Sequence, residues 1–267
     1  MPWQLRTRAS TVVLAAARAA FASVGVEILR KRGHDWGSVA NYIPFEETIA
    51  AAAKAGLSVG DYIDGTTPGK PSATRQTIDE MARLGVFDGT IGTVVEIGSG
   101  SGRYVERTIN ACNPQRYEIY ETADKWAAYV AEKYGVIRQP TDGKSLAATP
   151  DDSVDLVQAH KVFSTVSFLV SAHYWLEMVR VTRPGGFAAF DIVTESCMSS
   201  EQLEIWVESG INNGSYPAVI PRGLASEFFD KHGFVLRGSF IVPMRPGRTE
   251  TFVFQKSIGL PASPASK

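Results

Sequence analysis

The sequence is short of several things, and each shortage removes a class of function. It holds two cysteines in 267 residues, Cys112 and Cys197. They are far apart and show no paired spacing, so neither a disulfide framework nor a zinc site is implied, which suits a reducing cytoplasm. No apolar run approaches the roughly 18 residues of a membrane span, so no transmembrane segment is expected. Neither sign of charge is in excess: 27 basic residues face 28 acidic ones, for a net charge of −1. Phosphate binding needs a basic face, so nucleic acid is not the expected partner. Internal repeats are absent too. Hydrophobic content of 44% and charged content of 21% are ordinary for a globular chain. The length suits one α/β domain with an extension.

The most informative segment is Val94-Val95-Glu96-Ile97-Gly98-Ser99-Gly100-Ser101-Gly102-Arg103-Tyr104. The β-branched run before it reads as a buried parallel strand. Alternate glycines then allow a tight turn and a close approach of backbone to ligand. A helix from Tyr104 to Ala111 is predicted next, with free N–H groups facing the turn. A dinucleotide site of the Gly-x-Gly-x-x-Gly type fails on spacing. Counted from Gly98 its third position falls on Arg103, and counted from Gly100 it falls on Val105. This demotes a nicotinamide-dependent oxidoreductase to a third reading.

The pattern present is Glu-x-Gly-x-Gly-x-Gly, which resembles the first motif of the class I S-adenosylmethionine-dependent methyltransferases. Further motifs follow in that family's order. Tyr117 to Glu121 reads as a second strand ending in an acid 23 residues after Gly98, near the ~20 of a ribose-binding carboxylate. Arg138 to Gly143 reads as a third strand and its turn, Asp151 to His160 as the fourth, and Arg180 to Phe187 as the Pro-Gly-Gly turn into the fifth. The resemblance runs from about Val94 to Lys256. It implies an α/β, Rossmann-like, doubly wound sheet of seven mostly parallel strands, one of them reversed near the edge. It also implies S-adenosylmethionine as cofactor, and it carries the cofactor contacts to Glu96, Gly98, Ser99, Gly100, Gly102, Glu121, Thr122, Asp142, Gly143 and Ala159. In the family the first acid stands near the methionine amino group, the second meets the ribose, and the third meets the adenine. Ordinary strand-end acids and an Asp-Gly turn are the bland alternatives.

The chain divides by pattern into a helical extension or lid over 1–90, a cofactor-binding domain over 91–258 and a flexible tail over 259–267. Residues 1–32 carry six basic side chains against Glu27. The start superficially resembles a signal peptide, but Arg18 interrupts the apolar run, so one amphipathic helix is read. Contact with an anionic membrane surface is a subordinate reading of its basic edges. A homodimer is the expected way to cover apolar faces of the extension. Helices are predicted from Pro44 to Lys54, stopped by Gly56, and from Ser72 to Leu84 with Gln76, Thr77 and Glu80 exposed. Tyr42 and Tyr62 are candidates for a wall over the substrate, with plain packing as the alternative. Later, a helix is predicted over Ser164 to Val181, and an antiparallel pair over Phe234 to Val242 and Thr249 to Gln255.

In open α/β sheets the ligand lies beyond the carboxyl ends of the strands. His160, ending the fourth strand, is the candidate general base, its ordinary pKa being suited to neutral pH. A cofactor contact or a helix cap is its alternative role. Asp191, ending the fifth strand, is the second catalytic candidate, either orienting His160, hydrogen-bonding the acceptor or capping a loop. Tyr216 is a candidate acceptor contact, and His173 reads as a partly buried packing residue. Some metal-dependent O-methyltransferases carry Asp-Asn at the fifth strand and an Asp at the fourth. Here Ile192 and His160 take two of those places, so no metal is expected. Base-methylating relatives carry Asp/Asn-Pro-Pro-aromatic where this chain has Gln158-Ala159-His160-Lys161. A methylarsenite-type enzyme needs more cysteines. The expectation is methyl transfer to a hydroxyl oxygen of a small molecule, a sugar or secondary metabolite. Small-molecule N-methylation and a non-catalytic cofactor-binding subunit stay open.

Overall fold

A computed structural model describes residues 43–66, 72–208, 218–244 and 247–259. The basic segment 1–32, Tyr42, Tyr216 and the tail from 261 lie outside the described residues.

Among the described residues three helices precede the sheet. Helix α1, Phe45–Ala55, starts after Pro44, holds Glu46 and Glu47 in its first turn and Lys54 in its last, and so complements the helix dipole at both ends. Gly56 ends it in the left-handed region, at φ 66°. Helix α2 is Val59–Thr66. Helix α3, Ala73–Arg83, is capped by Ser72, whose hydroxyl accepts from the Arg75 N–H. Thr77 is buried rather than exposed, because α3 lays that face on the sheet core beside Ile78 and Met81. Its hydroxyl donates to the Ala73 carbonyl one turn back. Gln76 is partly covered, and its amide donates to the Ile241 carbonyl.

The sheet alternates with helices: β1 Thr93–Ile97, α4 Arg103–Cys112, β2 Arg116–Tyr120, α5 Asp124–Tyr134, β3 Ile137–Arg138, β4 Val154–Ala159, α6 Phe168–Val181 and β5 Thr182–Ile192. Then come α7 Ser200–Glu208, α8 Arg222–Lys231, β6 Phe234–Pro243 and β7 Arg248–Lys256. The seven strands lie in the order β3-β2-β1-β4-β5-β7-β6. Strands β1 to β5 pair in parallel, and β7 runs antiparallel to β5 and β6. Strand β3 shrinks to two residues paired with Glu118 and Ile119. Helix α6 begins at Phe168, not Ser164, because residues 162–166 close a turn on the Val162 carbonyl first. His173 on α6 is exposed rather than partly buried.

Side chains alternate across the strands and build two cores. One face carries Val95, Ile97, Tyr120, Val157, Ala159 and Phe190 against α6 and α8. Phe190 meets Trp175 and Phe229 at ring-centroid distances of 5.5 and 5.2 Å. The other face carries Val94, Ile119, Leu156, Ala189 and Val253 against α3, α4 and α5. Each of the large side chains is worth about 1.5–3 kcal/mol of burial. With both faces covered, the functional surface is left to the strand ends. The order reverses between β1 and β4, and the crevice opens at their carboxyl ends.

Candidate active site

The turn after β1 supplies the floor of the crevice. Gly98, Gly100 and Gly102 all sit at positive φ, at 65°, 49° and 79°, a region that costs other residues energy. They differ in surroundings. A Cβ at Gly98 would lie 2.6 Å from Val162 Cγ2, and one at Gly102 would lie 2.8 Å from Tyr134 and 2.9 Å from Val130. A Cβ at Gly100 would meet nothing within 4 Å. Two of the glycines therefore make the turn pack, and the third borders open space.

Glu121 follows β2 and is buried. Its Oε2 accepts from the Gly100 N–H at 2.6 Å and its Oε1 from the Ala123 N–H at 2.7 Å. The carboxylate so bridges the first two strand ends. Burial pushes its pKa up, against those backbone donors. Thr122 and Gly143 also come together, since a Cβ at Gly143 would lie 3.5 Å from Thr122 Cγ2. Asp142 is exposed, and its Oδ1 accepts from Lys144 and Ser145 N–H at 3.0 and 2.8 Å. Despite some burial, those bonds hold its pKa low.

Glu96 lies within β1, one residue before its end. It is buried, and its Oε2 accepts from Gln158 Nε2 at 2.7 Å and from the Tyr117 hydroxyl. Gln158 Nε2 also reaches Thr108 Oγ1 on α4 at 3.0 Å. Burial raises the Glu96 carboxyl to about 7, in spite of those two donors. Its described bonds run to β2 and β4, through Tyr117 and Gln158.

His160 stands just past β4, and Ala159, the last residue of that strand, pairs with Ile97. The imidazole is 5% exposed and stacks on Tyr104 at 4.3 Å between centroids and 23° between planes. Burial pushes its pKa down to about 4; Asp191 opposes this, while Lys161 and Arg103 add to it. The neutral pKa expected from the sequence is thus corrected: a buried ring flanked by two cations is neutral well below pH 6. Asp191 does not hydrogen-bond the ring. Its Oδ1 accepts from the Lys161 N–H at 2.6 Å and its Oδ2 from Lys161 Nζ at 2.7 Å. Although burial pushes the Asp191 carboxyl up, Lys161 and His160 hold it below the usual range.

The residues fit a ligand that brings many polar groups. Ser99 Oγ, Tyr104 Oη, His160 Nε2 and Ser164 Oγ are buried without hydrogen-bond partners, as is Arg103 Nη1 beside its 3.5 Å ion pair with Asp64. Ser99, Arg103 and Tyr104 belong to the glycine turn and the first turn of α4, and His160 and Ser164 to the loop after β4. Buried polar atoms are otherwise nearly always paired. Among the described residues no three His, Cys, Asp or Glu side chains converge as a metal set. Tyr62 lies partly covered in the α1–α2 cluster with Ile63 and Trp126. Sequence reasoning missed Arg103, Tyr104, Lys161 and Thr249. Tyr104 had a signal, being two residues past the third glycine and so in the first helical turn above the crevice.

Residues 95–190 match a family model described as a methyltransferase domain. That stretch carries a methyltransferase domain. No match is found among curated protein sequences. The chain is similar in structure to an O-methyltransferase family protein from Burkholderia thailandensis, with TM-score 0.55 and 14% identity over 76% of this chain and 60% of that one. It is similar to the [4+2]-cyclase SpnF, with TM-score 0.55 and 16% identity over 71% and 83%. N-methyltransferase NodS from Bradyrhizobium japonicum WM9 gives TM-score 0.52 and 13% identity over 70% and 98%. At such identities the likeness is one of fold. The chain spans 60% of the length of the Burkholderia protein. Among the described residues no helix is long and apolar enough to cross a membrane.

Proposed function

We propose that the methyltransferase moves a methyl group from S-adenosylmethionine to a hydroxyl oxygen of a small-molecule acceptor, with His160 taking the proton and no metal taking part. The carrying observation is the buried, unpartnered Nε2 of a neutral imidazole at the end of β4. The fold is shared by O- and N-methyltransferases and by a cyclase, so fold does not choose the atom. The choice of oxygen rests on the need of an alcohol for a proton acceptor.

When bound, the cofactor supplies an electrophilic methyl on a sulfonium. The glycine turn leaves room at Gly100 for it. Glu121 keeps lone pairs for ribose hydroxyls beyond those given to Gly100 and Ala123. Thr122, Asp142 and Gly143 form the rim where the adenine end would rest. Ser99 and the free α4 N–H groups face the methionine end. Glu96 supports this turn from below through Tyr117 and Gln158.

His160 then acts on the acceptor. With an imidazolium pKa of about 4 it is a weak base for a free alcohol. An oxygen acquiring its third bond sheds its proton readily, so a weak base suffices once bond formation begins. The proton passes from the acceptor oxygen to Nε2, and later to solvent. Burial of the ring keeps water out of the reacting region.

The test is transfer of labelled methyl to a panel of hydroxylated and aminated small molecules. The expected result is O-methyl product from wild type and a loss of about 10²–10⁴-fold in His160→Ala, with binding of S-adenosylhomocysteine retained. Methylation of amines alone, at a rate unmoved in His160→Ala, would overturn the reading.

A further inference from the structure

We infer that Lys161, Asp191 and Thr249 form a clamp that fixes residue 161 in the left-handed backbone region and thereby aims the His160 ring into the crevice. The inference deepens the proposed function and rests on its role for His160. In this assignment Asp191 is a positioning residue, not a proton acceptor.

The first ground is backbone conformation. Asn113, Asp152 and Lys161 are the non-glycine residues at positive φ among those described. Asn and Asp tolerate that region because their short side chains bond locally. Lysine has no such relief, and its φ of 63° carries a backbone cost. Glycine would remove that cost, so what offsets it here is the set of bonds that residue 161 makes.

The second ground is what the side chain does. Lys161 Nζ donates to Asp191 Oδ2 at 2.7 Å and to Thr249 Oγ1, while the Lys161 N–H donates to Asp191 Oδ1 at 2.6 Å. One carboxylate holds both the backbone and the head of one residue. Its two oxygens face a cation and a peptide N–H, both of which favour the carboxylate over the protonated acid and so make it a poor proton acceptor. The lysine side chain is 14% exposed and the aspartate 1%. A buried ion pair of this kind contributes little net stability, since desolvation offsets its attraction. It does fix geometry. Asp191 comes from the end of β5 and Thr249 from the start of β7, so two further strand ends are tied to the loop after β4.

The third ground is the consequence. The chain turns sharply just after His160, and the ring is left stacked on Tyr104 with Nε2 buried and unpartnered. Such strain, held by surrounding bonds, is a common feature of catalytic sites.

Histidine-labelled full-length protein provides the test, because the chain has four histidines. His160→Gln identifies the His160 signals, and Tyr104→Leu shows how much of their upfield displacement comes from stacking. The clamp predicts that Lys161→Ala and Asp191→Ala lose that displacement, whereas Lys161→Gly keeps it, because glycine holds the turn and its N–H still meets Asp191. Unchanged His160 signals in folded Lys161→Ala and Asp191→Ala would overturn the inference, as would equal losses in the alanine and glycine variants. If Asp191→Ala does not fold, Thr249→Val serves. Partial loss of the displacement supports the clamp, and none contradicts it. Titration of wild type with S-adenosylhomocysteine is read separately: absent binding rejects the cofactor reading, while the histidine spectra still judge the clamp.

Discussion

Alanine at Gly100 and alanine at Gly102 should have opposite signatures. Both positions have positive φ, 49° and 79°, so both substitutions carry about 1–2 kcal/mol of backbone strain. They part on space. At Gly102 the new methyl would lie 2.8 Å from the Tyr134 ring and 2.9 Å from Val130 Cγ2. Val130 is fully buried on α5 and cannot retreat without disturbing the core. Overpacking of this sort adds about 1–3 kcal/mol, for a total of about 2–5 kcal/mol. At Gly100 the new methyl would meet nothing within 4 Å, so the fold should lose only the strain. On the proposed reading that space takes the ligand, and S-adenosylhomocysteine affinity should fall at least about tenfold, or 1.4 kcal/mol. Urea unfolding with an unchanged denaturant slope reads the stability, and calorimetric titration reads the affinity. A Gly100→Ala protein that is folded and binds the ligand as tightly as wild type would refute the reasoning, because it would show that the open side of this glycine is not where the ligand lies.

Further outcomes follow from the buried ionisable groups and one tight turn. His160 is held at about 4 against 6.5 when unfolded. The stability it gives is therefore present above about pH 6.5 and lost as pH falls toward 4, a difference of about 3 kcal/mol. Unfolding of His160→Gln followed against pH should lack that part of the slope. Glu96 has the opposite sign, at about 7 against 4.5: its contribution is present below about pH 4.5 and lost as pH rises through 7. Glu96→Gln, which mimics the protonated group, should melt higher than wild type at about pH 8 and near it at about pH 4.5. Removing charges around His160 should move its titration both ways, upward in Lys161→Met and downward in Asp191→Asn, as seen by NMR. Gly186→Ala should cost about 3 kcal/mol in denaturant unfolding, because its Cβ would stand 2.8 Å from the Val154 carbonyl and 3.0 Å from those of Arg183 and Asp155.

What could be read from the sequence was what local chemistry decides. The strand, glycine turn and helix from Thr93 to Cys112 are set by β-branched residues and by glycines that alone accept such φ values. Ser72 and Gly56 mark helix ends by the same local logic. The reversed strand β7 was legible from its pairing with β6 through a short turn. Glu121 was legible from its distance along the chain, and it does meet the turn at Gly100. Other features depend on partners remote in sequence. The left-handed Lys161 has no local signal, because what holds it is Asp191, 30 residues on, and Thr249, 88 residues on. The low pKa of His160 comes from burial under Tyr104 and from Lys161 and Arg103, none of which periodicity reveals. Thr77 looked like a surface position and is buried, since the sheet covers a wider stripe of α3 than its apolar residues mark.

The central claim is that the crevice between β1 and β4 holds S-adenosylmethionine through the glycine turn and Glu121. Calorimetric titration of the full chain and of Glu121→Ala with S-adenosylmethionine, S-adenosylhomocysteine and NADPH tests it most directly. The account predicts micromolar-range affinity for both sulfur ligands, about 8 kcal/mol, a marked loss in Glu121→Ala and no heat from NADPH. A folded wild-type protein that binds neither sulfur ligand would contradict it.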